Sequence, residues 1–228
     1  MSDASLRWLR ESSLSLFFLL LLVASVVGQS FAGWKDYNAE QLAHHDSTVS
    51  WALYVSSSAF WAAVMENWQS EFLQFSFFIA ATVWLIQRGS NESKAPEDVG
   101  LESDQAQQVG GYAPENAPRW ARVRGWRTAV YSHSLLIVMT AIFFATWFAQ
   151  SLTDKNVFNA EQKDHGEATV SWSSYIVSSD FWEKTLQNWQ SEFLAVGTMA
   201  VFTVYLRERG SPESKPVGAP HDQTGTSG

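Results

Sequence analysis

Long stretches of this chain carry no charge at all. Residues 14–34 (LSLFFLLLLVASVVGQSFAGW) form one such stretch and residues 134–152 (SLLIVMTAIFFATWFAQSL) a second. Each is about 20 residues long, what a helix needs to cross the hydrocarbon core of a bilayer. Two shorter apolar runs follow them, 72–86 (FLQFSFFIAATVWLI) and 193–206 (FLAVGTMAVFTVYL). As helix these cover only ~21–23 Å of a ~30 Å core, so each is expected to extend upstream. SSSAFWAAV and SSDFWEKT read as the helix starts. Ser58 is the expected cap of the first, and Asp180 with Glu183 has capping-box spacing in the second, so long helices should begin near 59 and 180. Most of the 12 tryptophans lie at the edges of the runs, where indole prefers the headgroup zone. The pattern predicts an all-α integral membrane protein with spans at about 14–33, 69–87, 133–152 and 190–207.

The runs recur because the chain is a tandem duplication. Shifted by 121 positions, residues 29–94 fall on 150–215 without a gap, and 32 of the 66 pairs are identical. NAEQ, TVSW, FW and NWQSEFL all meet their own copies, and RGSNESK closes on RGSPESK. A basic start (Arg7, Arg10) and small Ser30 and Ala32 would also suit a cleaved signal peptide, but the copy of this first run is internal. The expected organisation is therefore two tandem helical hairpins, 1–94 and 119–215. Between them lies a disordered acidic linker, 95–118, and after them a disordered tail, 216–228. Amphipathic helical segments rich in Trp and Tyr are expected on the outer face of each hairpin.

Charge orients this arrangement. Eleven of the 15 Lys and Arg residues lie at the termini or between the hairpins, and only Lys35, Lys155, Lys163 and Lys184 lie on the other side. The positive-inside rule then puts both termini in the cytoplasm, which in a bacterium makes the host the inner membrane. The formal net charge of −8 does not argue for a soluble acidic protein, since the linker alone carries five acids and no base. The basic, Trp-interleaved segment 119–127 (RWARVRGWR) reads as an interfacial anchor on acidic headgroups, and no basic domain points to nucleic acid. With no cysteine, thiol catalysis and disulfides are excluded.

The candidate chemistry sits in NWQSEFL. On a helix Asn67, Ser70 and Glu71 share one face, and Asn188, Ser191 and Glu192 repeat it. Gln29 and Gln150, at the outer ends of the longer spans, should lie beside them. Two readings follow. In one, Gln29 bonds Asn67 or Glu71, and Gln150 bonds Asn188 or Glu192, so that each motif clamps its own hairpin. In the other, Glu71 and Glu192 meet across a pseudo-twofold axis and handle a cation or protons. A metal site from His44, Asp46, His165 and Glu167 is conceivable, although their spacing matches no recognised motif. His133 lacks a second histidine for haem, and no cofactor is implied. No nucleophile elbow, phosphate loop or paired helical histidine points to an enzyme. Gly89 and Gly210 in the basic exits are read as helix C-caps.

The layout, with GQS ending the first span, then YN, ENWQSEFLQ and QRGSxESK, resembles an uncharacterised family of small bacterial multi-pass membrane proteins, a domain of unknown function. The resemblance implies a bacterial membrane location and brings no activity or catalytic residue with it. The expected function is a non-enzymatic structural or interaction role, with the bilayer as partner and another membrane protein or a second copy as the further candidates. The alternative is a small cation- or proton-coupled transporter or channel using Glu71 and Glu192.

Overall fold

The computed structural model describes residues 3–225. It is all-α, with no strand among the described residues. Helices α1 (Asp3–Glu11) and α2 (Ser13–Ala43) open the chain. The short α3 (Trp51–Val55) then turns it into α4 (Ser58–Trp84). Residues 95–118 contain two 3-10 turns, Pro96–Asp98 and Gly110–Tyr112. The second half follows as α5 (Arg119–Arg122), α6 (Trp126–Ser132), α7 (Ser134–Asp164), α8 (Trp172–Tyr175) and α9 (Ser179–Tyr205). The 121-residue shift carries both ends of α2 onto α7 and both ends of α4 onto α9.

Of these, α2 and α7 are long and apolar enough to cross a membrane. Helices α4 and α9 have the length, at 27 residues each, but are not among them. Four such helices were expected. The polar motif, with Gln74 and Ser76 just beyond it in α4, interrupts the apolar runs that would have made the other two.

The duplicated residues build the hairpin turns. The Asn38 side chain bridges the backbone of Val49, donating to its carbonyl at 3.0 Å and accepting from its N–H at 2.8 Å. Asn159 does the same to Val170 at 3.0 and 2.8 Å. The Trp51 indole donates to Ser30 Oγ at 3.2 Å, and Trp172 to Ser151 Oγ at 2.9 Å. Ser57 caps α4 and Ser178 caps α9, each accepting from the N–H three residues on. The caps thus lie upstream of the expected Ser58 and Asp180, because a serine with extended backbone already precedes each first turn. Likewise Leu85 and Leu206 are the C-caps, while Gly89 and Gly210 take their positive φ further on, inside the exit loops.

Side-chain size sets which helices pack closely. Within each hairpin the two long helices are held apart by large rings. Tyr54, Phe60, Val64 and Met65 form the first core, with Trp34 and Tyr37 of α2 against it. Trp147 of α7 stacks on Phe181 of α9 and packs at a tilt against Trp189 in the second. Between the hairpins, α4 packs most extensively on α7, and less so on α9. Ala62, Ser70 and Ser76 of α4 are buried, and small side chains let helix backbones approach. Helix α2 buries only Ser30.

Candidate functional site

The two copies of NWQSEFL come together between α4 and α9. The Trp189 indole donates to Gln69 Oε1 at 2.8 Å, Asn188 Nδ2 to Glu66 Oε1 at 3.1 Å, and Ser70 Oγ to Glu192 Oε1 at 3.3 Å. Gln69 and Ser70 are buried; Asn67 and Glu71 of the same helix are exposed. Asn67 and Asn188 each donate to the carbonyl four residues back in their own helix, and Ser70 and Ser191 to the one three back. Glu192 acts electrostatically on Glu71. Among the described residues no hydrogen bond joins Gln29 to Asn67 or Glu71, nor Gln150 to Asn188 or Glu192. The wide aromatic spacing within each hairpin separates those helices, so the polar faces meet across the repeats instead. The expected face left out Gln69 and Trp189, yet both stand inside the duplicated motif.

A second polar cluster, absent from the sequence reading, lies at the outer end of the second repeat. Asp154 and Gln150, one turn apart on α7, are fully buried. Asp154 Oδ2 and both polar atoms of the Gln150 amide have no hydrogen-bond partner. Asp154 lies beyond the apolar stretch, and burial, reinforced by the charge of Glu66, pushes its carboxyl up to about 6. Across from it, the Tyr175 hydroxyl donates to Asp180 Oδ2 at 2.7 Å, and Lys184 pairs with the same oxygen at 3.1 Å. Burial alone would lower the Lys184 ammonium, but Asp180, with Asp154 and Glu161 behind it, carries it above its ordinary range. Burial also raises Glu66, against the pull of Lys184 and Asn188. Four acids, Asp154, Asp180, Glu66 and Glu161, therefore surround one base, and protonation of Asp154 moves the cluster toward balance. The signal for it was the 121-residue shift itself, which sets Asp154 on Gly33, Asp180 on Ala59 and Lys184 on Ala63.

At the opposite end, a cleft of about 180 Å³ separates α4 from α9. Gln74, Phe75 and Phe78 line one wall, and their counterparts Ala195, Val196 and Met199 the other. Glu92 and Glu213 close it. Burial and then the neighbouring Glu213 carboxyl raise Glu92 above the ordinary glutamate range. Each ESK lysine ties off its own loop, Lys94 on Gly100 O and Glu102 at 3.0 and 2.9 Å, and Lys215 on three carbonyls of the tail. His44, Asp46, His165 and Glu167 are not drawn into a ligand set. No group of three or more His, Asp or Glu able to hold a metal occurs among the described residues.

A family model matches residues 5–226, from α1 to the tail. The chain belongs to DUF6766, a domain of unknown function. The DUF6766 match takes in both hairpins and the linker, so the duplication lies inside the domain. No curated protein and no solved structure matches the chain.

Proposed function

We propose that this protein is a non-enzymatic integral membrane protein, with α2, α4, α7 and α9 all spanning and both termini cytoplasmic in a bacterial inner membrane. Its role is structural or interactive, and the NWQSEFL copies lock one repeat to the other. The observation that carries this reading is the set of three side-chain hydrogen bonds running between α4 and α9. The exposed Phe17–Leu22 run on α2 fits lipid contact, and 27 residues give α4 and α9 about 40 Å, enough to span with the motif inside.

The test is a double-mutant cycle on Gln69→Leu and Trp189→Phe, read as resistance to unfolding in mild detergent. Each substitution is expected to cost about 1–2 kcal/mol, with the pair costing less than the sum. Additive losses, or no loss, would remove the lock.

A second reading is favoured by one observation. Glu71 and Glu192 lie within electrostatic reach of each other, and each stands one turn before residues lining the cleft between α4 and α9. In that reading the pair handles a cation or protons. Flux in proteoliposomes that disappears in Glu71→Gln/Glu192→Gln, with the fold intact, would replace the structural reading by transport.

A further inference from the structure

The side-chain hydrogen bonds between the two copies of the motif run in one sense only. Were the repeats related by a twofold axis, every contact would occur twice, with the roles exchanged. Gln69–Trp189 would be accompanied by Gln190–Trp68, Asn188–Glu66 by Asn67–Gln187, and Ser70–Glu192 by Ser191–Glu71. None of these reciprocal hydrogen bonds is present among the described residues. The interface is therefore head to tail. Helix α4 offers the face of Glu66, Gln69 and Ser70, and α9 receives it on Asn188, Trp189 and Glu192.

This leaves two unfilled faces that are repeat counterparts of filled ones. On α9 the face continues through Leu186, Gln190, Ser191 and Leu194. Met65 and Leu73 of α4 are 9% and 3% exposed, whereas their counterparts Leu186 and Leu194 are 53% and 69% exposed. On the first repeat the receiving residues Asn67, Trp68 and Glu71 are open as well. Helix α2, the counterpart of the α7 that α4 packs against, has no comparable partner. Gln190, Ser191 and Leu194 are identical to the buried Gln69, Ser70 and Leu73, so the open face has the chemistry of the closed one.

We infer that a second copy of this chain fills these faces, its Asn67–Trp68–Glu71 side and α2 docking on α9 as α7 and α9 dock on α4. A head-to-tail interface either closes into a ring or runs on as a filament. The axial cleft favours closure. Residues that face a ring's axis come from the same position in every repeat, and the cleft wall is built from such equivalent residues. The smallest ring holds two copies, hence four repeats, around that axis. The inference goes beyond the lock between repeats, because it names what the remaining half of each polar motif is for.

The cysteine-free sequence allows a direct test in membranes of expressing cells. Two differently tagged chains, one Ser191→Cys and one Glu71→Cys, are co-expressed and treated with a short bismaleimide. A product of twice the 25.6 kDa chain mass carrying both tags is expected, with little or none when either variant is present alone. A single chain with Ser70→Cys and Glu192→Cys, where Oγ and Oε1 lie 3.3 Å apart, serves as control and should cross-link internally. Control cross-linked but mixture monomeric overturns the second copy while leaving the lock intact. Failure of the control overturns both. Self-linking of the Ser191→Cys chain means a back-to-back dimer, and a product of any other mass a different occupant; either result overturns the head-to-tail assembly. Independently, light scattering of the detergent-solubilised wild type should give at least two chains per particle, and a monomer at all concentrations would overturn the inference.

Discussion

In the first repeat Gly33 leaves room for the Tyr54 hydroxyl, which a Cβ at that position would strike. In the second, Asp154 stands in the equivalent place and the Tyr175 hydroxyl is held by Asp180 instead. The first hairpin's interior is a dry cluster of Tyr54, Phe60, Val64 and Met65. The second keeps Tyr175 and Phe181, replaces Val64 by Thr185, and adds Asp154, Asp180 and Lys184 around them. What both halves retain is the frame: the serine caps, the asparagine bridges and the Trp–Ser bonds. The difference teaches that duplication preserved what sets helix length and turn, and that chemistry diverged where packing differs. The half pressed against α4 acquired buried charge.

Carrying the second repeat's aspartate into the first gives the sharpest break in this comparison. Gly33→Asp adds a side chain where the Tyr54 ring packs and buries a carboxylate without a lysine, since Ala63 stands where Lys184 would be. A loss of about 3–5 kcal/mol in unfolding free energy is expected, by overpacking and an unpaired buried charge together. Adding Ala59→Asp and Ala63→Lys should recover part of it. No loss from Gly33→Asp would mean the first core is looser than its burial implies.

Asp154 supplies the next effect, and its sign follows from the raised carboxyl. The folded state holds the proton up to about pH 6, whereas an unfolded aspartate releases it near its ordinary value of 3.8. Stability therefore falls as pH rises between those values and stays reduced above them. Asp154→Asn should flatten that slope and be the more stable protein at pH 7–8 by about 3 kcal/mol at most. Unfolding midpoints measured from pH 4 to 8 decide it, and parallel curves for the two proteins would count against the burial of a charge there.

The smallest effect is at the helix ends. Helices α2 and α7 both close with a bond from the residue two past the cap back to a carbonyl five residues earlier, Asp46 to Gln41 and Glu167 to Gln162. The residue in between has φ +72 at Gly166 but +64 at His45, where a side chain bears the left-handed conformation. His45→Gly should stabilise the first repeat by about 0.5–1 kcal/mol, and Gly166→Ala should destabilise the second by a similar amount. Equal and opposite shifts in thermal midpoint would trace the difference between the two ends to the left-handed residue rather than to its neighbours.

Much of the helical frame was legible because duplication prints it twice. The predicted starts near 59 and 180 lie one residue from Ser58 and Ser179, and the common shift recurs at every long-helix boundary. The partners of the polar face were not legible. Periodicity says that Asn67, Ser70 and Glu71 share a side of a helix, but the neighbour on that side depends on interhelical spacing. Here Trp147, Tyr54 and Phe60 hold each hairpin open, while Ala62, Ser70 and Ser76 let α4 settle on α7. The Asp154 cluster was readable in principle, as a charge in one repeat with glycine in the other. Identity between the copies marks the shared frame, whereas this cluster is marked only by departure from it.

The packing of α4 on α7 also orders events during synthesis. Helix α4 is complete at Trp84 and α7 only at Asp164. At roughly 5–20 residues per second, the first helix waits on the order of 4–16 s for its partner to leave the ribosome. Throughout that interval Gln69 and Ser70 have no partner from the second half, and the nascent hairpin cannot reach its final form. The first repeat is thus made early and finished late, and its waiting helix must be kept from other partners until the second repeat arrives.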